Sequence, residues 1–204
     1  MKKFLVCMTT LLIFVIGLSG CGCDNTDETT SPTEAVTEPE GETLPIEDGL
    51  NLIYSSGAGA WEAHIYLNAD GTFTGGYQDM NAGEGGEGYD ATVYQSEFKG
   101  KFKDIKMVED YAFTMTLENV ETEKPEGTEA IEEWNGQVAV RVVNTAPFGI
   151  AGGEEFLFYL PTAPISELSE EFLSWNPARG EKTETLERYG LYNIVTDAGF
   201  FTYD

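Results

Sequence analysis

Residues 79–90, running Asp79-Met80-Asn81-Ala82-Gly83-Glu84-Gly85-Gly86-Glu87-Gly88-Tyr89-Asp90, are the best candidate in the chain for ligand chemistry, because they set oxygen-bearing side chains among five glycine and alanine spacers on a loop. Asp79, Asn81, Glu84, Glu87 and Asp90 place five oxygen-bearing side chains on one glycine-rich segment. Hard cations such as Ca²⁺ are held by such oxygens, so the segment is a candidate Ca²⁺ loop. The same composition suits a solvated turn between two strands, and the sequence leaves both readings open. Phosphate is excluded, because the loop is acidic and has no lysine to meet an anion.

Elsewhere the chemistry is sparse. His64 is the single histidine, so no second imidazole exists for a histidine-rich metal site or an alternative general base. The three cysteines are Cys7, Cys21 and Cys23, which leaves the remainder of the chain without a disulfide, a thiolate zinc site or a cysteine nucleophile. Carboxylates are plentiful, but with acidic residues spread along the whole chain no pair is singled out by spacing for glycoside hydrolysis. Eight aromatic residues, Trp61, Phe73, Tyr77, Tyr94, Phe98, Phe102, Tyr111 and Phe113, fall on the inward faces of the strands expected below. They could line an apolar cavity or simply fill a small barrel.

The N-terminal segment has its own logic. Lys2 and Lys3 precede an apolar run from Phe4 to Leu18, followed by the small residues Ser19 and Gly20. That is the three-part pattern of a secretory signal, and the run is short of the roughly 20 residues needed to span a bilayer. Leu18-Ser19-Gly20-Cys21 resembles the lipobox of bacterial lipoproteins of Gram-positive type. The resemblance implies cleavage between Gly20 and Cys21, a diacylglyceryl group on Cys21, and anchoring at the outer face of the cytoplasmic membrane. Two acyl chains suffice for stable anchoring where one does not.

Residues 1–20 form the expected signal peptide, and residues 21–49 an acidic, threonine-rich tether. One-signed charge with little apolar content cannot offset chain entropy, so the tether is expected to be disordered. Losing Lys2 and Lys3 with the leader leaves 9 basic residues against 36 acidic ones, a formal charge of −27. Such a surface repels nucleic acid and anionic headgroups, so nucleic acid is not an expected partner and membrane contact must come from the lipid.

Residues 50–204 are the length of one domain. Period-two alternation recurs between turn signals, clearest in Trp61–Leu67 and Thr72–Tyr77 around Asn68-Ala69-Asp70-Gly71. Further strands are expected at 91–103, 111–117, 137–143, 155–160, 189–195 and 200–203, with one helical turn at 129–134 and a short amphipathic helix at 166–175 capped by Ser166. The expectation is an all-β fold, a small antiparallel barrel, with a β-sandwich as the alternative. Gly75 and Gly100 on inward faces favour the barrel, where closure needs bending.

Gly59-Ala60-Trp61 opening the first clear strand resembles the G-x-W signature of lipocalins, and Glu109-Asp110-Tyr111 is similar to their later T-D-Y motif, with Arg141 the nearest match to a late arginine. The resemblance covers these short points and implies a calycin-like barrel. Together these features point to a membrane-anchored extracytoplasmic lipoprotein that acts as a ligand-binding or interaction module for an unknown small molecule or envelope partner. A carboxylate-dependent hydrolase and a purely structural envelope protein are the alternatives.

Overall fold

The computed structural model describes residues 42–134 and 138–203. The expected cleavage at Gly20, lipidation at Cys21 and most of the tether lie outside the described residues.

Ten strands are found among the described residues: β1 Leu50–Ser55, β2 Trp61–Leu67, β3 Thr72–Asn81, β4 Ala91–Glu109, β5 Ala112–Thr122, β6 Glu129–Trp134, β7 Val138–Asn144, β8 Glu155–Tyr159, β9 Gly190–Asn193 and β10 Ala198–Phe201. Eight of them close into an antiparallel barrel in the order β3-β2-β1-β10-β9-β8-β5-β4, with β4 returning to β3. The expected barrel is therefore the architecture, and its neighbours follow chain order, apart from the β6–β7 hairpin looped out between β5 and β8. That hairpin extends the sheet: Ala91–Gln95 of β4 run parallel to Val140–Asn144 of β7, before Phe98–Glu109 take up β5 along the same edge.

One strand joins those expected, and two local expectations are corrected. Leu50–Ser55 forms a strand, because β2 and β10 stand ready to pair with it on either side. Residues 129–134 are strand β6 rather than a helical turn, since the β-branched run of β7 gives them a partner from Glu129↔Val143 to Trp134↔Val138. The helix at 166–175 is broken into a 3-10 turn, Ile165–Glu167, and helix α1, Glu170–Ser174. Leu168 is extended between them and turns its side chain into the core. Ser169, not Ser166, is the cap, accepting a hydrogen bond from the Phe172 amide at 3.2 Å.

The barrel interior is filled. Leu52, Ile65, Phe73, Phe98, Phe102, Met115, Phe156, Phe158 and Phe200 are buried in one continuous cluster. Two glycines make room for its rings, as Gly75 lies opposite Phe98 and Gly100 opposite Phe73 in the β3–β4 register. A β-carbon at Gly75 would stand 2.6 Å from the Phe98 ring and one at Gly100 2.5 Å from the Phe73 ring. The inward glycines thus serve packing, letting an aromatic ring lie across the neighbouring strand.

Both ends are closed. At one end the loop after β7 folds over the barrel: Ile150 is buried, and Gly149, with φ of 81°, lies against Phe200 and Tyr54. Tyr54 stands 4.8 Å from Trp61, 5.6 Å from Phe148 and 4.7 Å from Trp175, ring to ring. At the other end Leu44 is buried and its amide donates to Ala69 at 2.8 Å, so the packed chain begins before residue 50. β2 connects these ends, about 20 Å apart at about 3.3 Å per residue.

The outer walls differ. Residues 160–189, including α1, cover β5, β8, β9 and β10, where Phe172 packs on Phe201, Tyr192 and Tyr159 at 4.6, 5.2 and 5.0 Å. Ala112, Leu168 and Leu186 complete this second core. Among the described residues the wall made by β2, β3 and the middle of β4 has no such cover.

Candidate functional site

The uncovered wall carries a groove. Because side chains alternate across a strand, register places the outward residues in rows: Glu62, Gln78 and Gln95 across β2, β3 and β4, then His64, Gly76 and Glu97, then Tyr66, Thr74 and Lys99. In the middle row glycine leaves a dip. A β-carbon at Gly76 would lie 3.0 Å from Cε1 of His64 and 3.2 Å from both carboxylate oxygens of Glu97, so these two side chains lean in over the bare backbone.

On either side of that pinch the wall opens into a hollow. One, of about 430 Å³, is bordered by His64, Tyr66, Thr74, Glu97, Lys99 and Glu121. The other, of about 470 Å³, shares His64 and Glu97 and extends to Glu62, Gln78, Gln95 and Tyr203. Its far wall is the turn Ser55–Ala60, made possible by Gly57 and Gly59 at φ of 71° and 76°. Tyr66 is 45% and Tyr203 47% exposed, leaving aromatic faces available at the two hollows. Lys99 makes a 3.9 Å ion pair with Glu121 on the solvent side.

The residues expected to bind Ca²⁺ are placed otherwise engaged or apart. Glu84 accepts a 2.6 Å hydrogen bond from the Tyr94 hydroxyl and lies 3.8 Å from the Arg141 guanidinium. Tyr89 is stacked beneath Arg141 at 5.5 Å, and Thr92 donates to the Glu84 carbonyl at 2.8 Å. The bond to the Glu84 carboxylate, followed by burial, raises the Tyr94 hydroxyl above its ordinary pKa. Asn81 turns its oxygen onto the Gly83 amide at 3.0 Å. Asp79 sits within the β3 ladder opposite Trp61, and Glu87 and Asp90 are exposed. Among the described residues no three His, Cys, Asp or Glu side chains gather closely enough to hold a metal ion.

The eight aromatics divide. Phe73, Phe98, Phe102 and Phe113 are interior, and Trp61 and Tyr77 pack on that core from the end closed by Phe148. Burial first, then the Asp79 carboxylate, pushes the Tyr77 hydroxyl up to about 12. Tyr94 belongs to the Glu84–Arg141 cluster, and Tyr111 packs on the outer core while donating to Glu167. That bond is the main cause raising Tyr111 to about 12. The groove itself was missed in the sequence, although one signal was there: two consecutive glycines inside a strand require that one of them face outward, among polar neighbours.

Comparison with protein-family models, with curated proteins and with solved structures gives no match for this chain.

Proposed function

We propose that this chain is a lipid-anchored extracytoplasmic module that binds a ligand or envelope partner on the outer wall of its barrel and performs no catalysis. The anchor reading rests on the basic, apolar and Leu18-Ser19-Gly20-Cys21 segments, which together suit export and diacylation at Cys21. The binding reading rests on one observation: the interior is packed with side chains while a groove with aromatic, amide and carboxylate groups is left on the uncovered wall. Convergent polar groups beside aromatic faces in hollows of this size are the usual make-up of a ligand site. The aromatic barrel end also lies farther than the Leu44 end from the point where the chain joins the barrel.

Two measurements test the proposal. Wild-type protein should fractionate with membranes and require detergent for release, whereas Cys21→Ala should appear in the soluble extracytoplasmic fraction. The mature chain carrying Cys21→Ser should be retained on isolated Gram-positive cell envelopes, and Gly76→Leu, which fills the dip between two movable side chains, should lose that retention. Release of both forms without detergent would sink the anchor, and retention unaffected by Gly76→Leu would sink the groove.

A further inference from the structure

Resting on the reading of the groove as a binding site, we infer that its ligand is an oligosaccharide of neutral or amino-bearing sugars, held across the two hollows with the His64–Glu97 pinch between them. Four properties of the wall lead there. The first is shape. The two hollows are joined in tandem and open to solvent along their length, which suits an extended, hydrophilic chain and not a compact apolar molecule that would need enclosure.

The second is hydrogen-bonding capacity. Gln78 and Gln95 stand side by side and each offers both donors and acceptors, while Glu62 and Glu97 flank them with acceptors alone. Adjacent hydroxyls on a sugar ring both donate and accept, so a row of carboxylate, amide and amide meets them without leaving a group unpaired. The third is the exposed rings of Tyr66 and Tyr203, one at each hollow. A pyranose presents a face of C–H bonds that packs on an aromatic face, and a tyrosine adds a polar tip at the ring edge.

The fourth is charge. Glu62, Glu97, Glu121 and Glu123 border the groove against the single ammonium of Lys99. This field repels phosphate- or carboxylate-bearing ligands and admits neutral or cationic ones. An extended peptide is disfavoured by the backbone. Strands β2, β3 and β4 spend their amides and carbonyls on one another along a ladder unbroken from Trp61↔Asp79 to Leu67↔Phe73 and from Thr72↔Lys101 to Asn81↔Thr92. A peptide laid on this face would find no free edge for main-chain hydrogen bonds, the chief source of affinity when a strand is added to a sheet.

The experiment is calorimetric titration of the mature chain carrying Cys21→Ser with three probes: the N-acetylglucosamine tetramer, its de-N-acetylated tetramer, and a galacturonate tetramer. The first two should bind and the third should not. Tyr66→Ala and Gly76→Leu should each weaken binding by about tenfold or more while the thermal unfolding midpoint of Tyr66→Ala stays at the wild-type value. No binding of either uncharged or amino-bearing tetramer up to about 10 mM overturns the inference, as does tighter binding of galacturonate. Equal affinity in wild type and Tyr66→Ala overturns it as well, since Tyr66 lies on the surface where its removal leaves the fold intact. If envelope retention depends on Gly76 but no tetramer binds, the glycan falls and the binding module stands. If the tetramer is bound and cut, giving new reducing ends, the non-catalytic reading falls and the glycan stands.

Discussion

The covered and uncovered walls of this barrel use the same strand geometry for opposite ends. On β8, β9 and β10 the outward positions are Tyr159, Tyr192 and Phe201, and residues 160–189 bury them. On β2, β3 and β4 the outward positions are Glu62, His64, Tyr66, Gln78, Glu97 and Lys99, and nothing in the described chain lies over them. A strand buried on both faces reads as a continuous apolar run, and one buried on a single face alternates. Phe156-Leu157-Phe158-Tyr159 and Gly199-Phe200-Phe201 follow the first rule, Trp61–Leu67 the second. The covered wall therefore contributes to stability through apolar burial, whereas the bare wall is free to serve recognition.

The largest effect expected from this difference is at Phe172. Its ring is fully buried between Phe201, Tyr159 and Tyr192, and a β-carbon at Gly190 would meet it at 2.5 Å, so no neighbour can move in to fill the space cheaply. Phe172→Ala should cost about 3–5 kcal/mol in urea unfolding. A cost below about 1 kcal/mol would mean that residues 160–189 lie on the barrel without stabilising it, and the contrast between the walls would fail.

A smaller and sharper test comes from neighbouring glycines on β3. Gly75 faces inward, where a β-carbon would stand 2.4 Å from the His64 carbonyl oxygen and 2.6 Å from the Phe98 ring. Backbone cannot yield there, so Gly75→Ala should destabilise by about 1–3 kcal/mol through overpacking. At Gly76 the obstacles are the ends of the His64 and Glu97 side chains, which can swing away. Alanine also removes the entropic cost of glycine in a strand, so Gly76→Ala should leave stability within about 1 kcal/mol of wild type. Equal losses at both positions, read by the same unfolding assay, would show that the outer dip is structural.

Much of the barrel was legible because alternation survives wherever one face is solvated, as in Trp61–Leu67 and its return strand. Legibility failed where tertiary partners decide. Glu129–Trp134 has an acidic, helix-compatible composition and becomes a strand because β7 pairs with it. Leu50–Ser55 is short and follows an acidic segment, yet it completes the ring between β2 and β10. The turn near the C-terminus falls at 194–197 and not at 196–199, since Asn193 accepts from the amides of Val195 and Thr196 and Asp197 takes a positive φ of 56°. The groove was hidden for a different reason: Glu62 of β2 and Gln78 of β3 are distant in sequence from Gln95 and Glu97 of β4 and become their neighbours only through the β2–β3–β4 register.

The smallest effect on stability is expected at Lys99, and it bears on what the bare wall is for. Lys99 and Glu121 are 71% and 70% exposed at a separation of 3.9 Å, a pairing that solvent screens. Lys99→Ala should change unfolding free energy by less than about 0.5 kcal/mol. Removing the one ammonium from a groove bordered by Glu97, Glu121 and Glu123 deepens its negative potential, so the variant should bind the amino-bearing tetramer more tightly relative to the N-acetylated one. A side chain that shifts ligand preference while leaving stability untouched marks a recognition wall. If Lys99→Ala destabilised the fold on the scale of Phe172→Ala and left that preference unchanged, the two walls would be doing the same job.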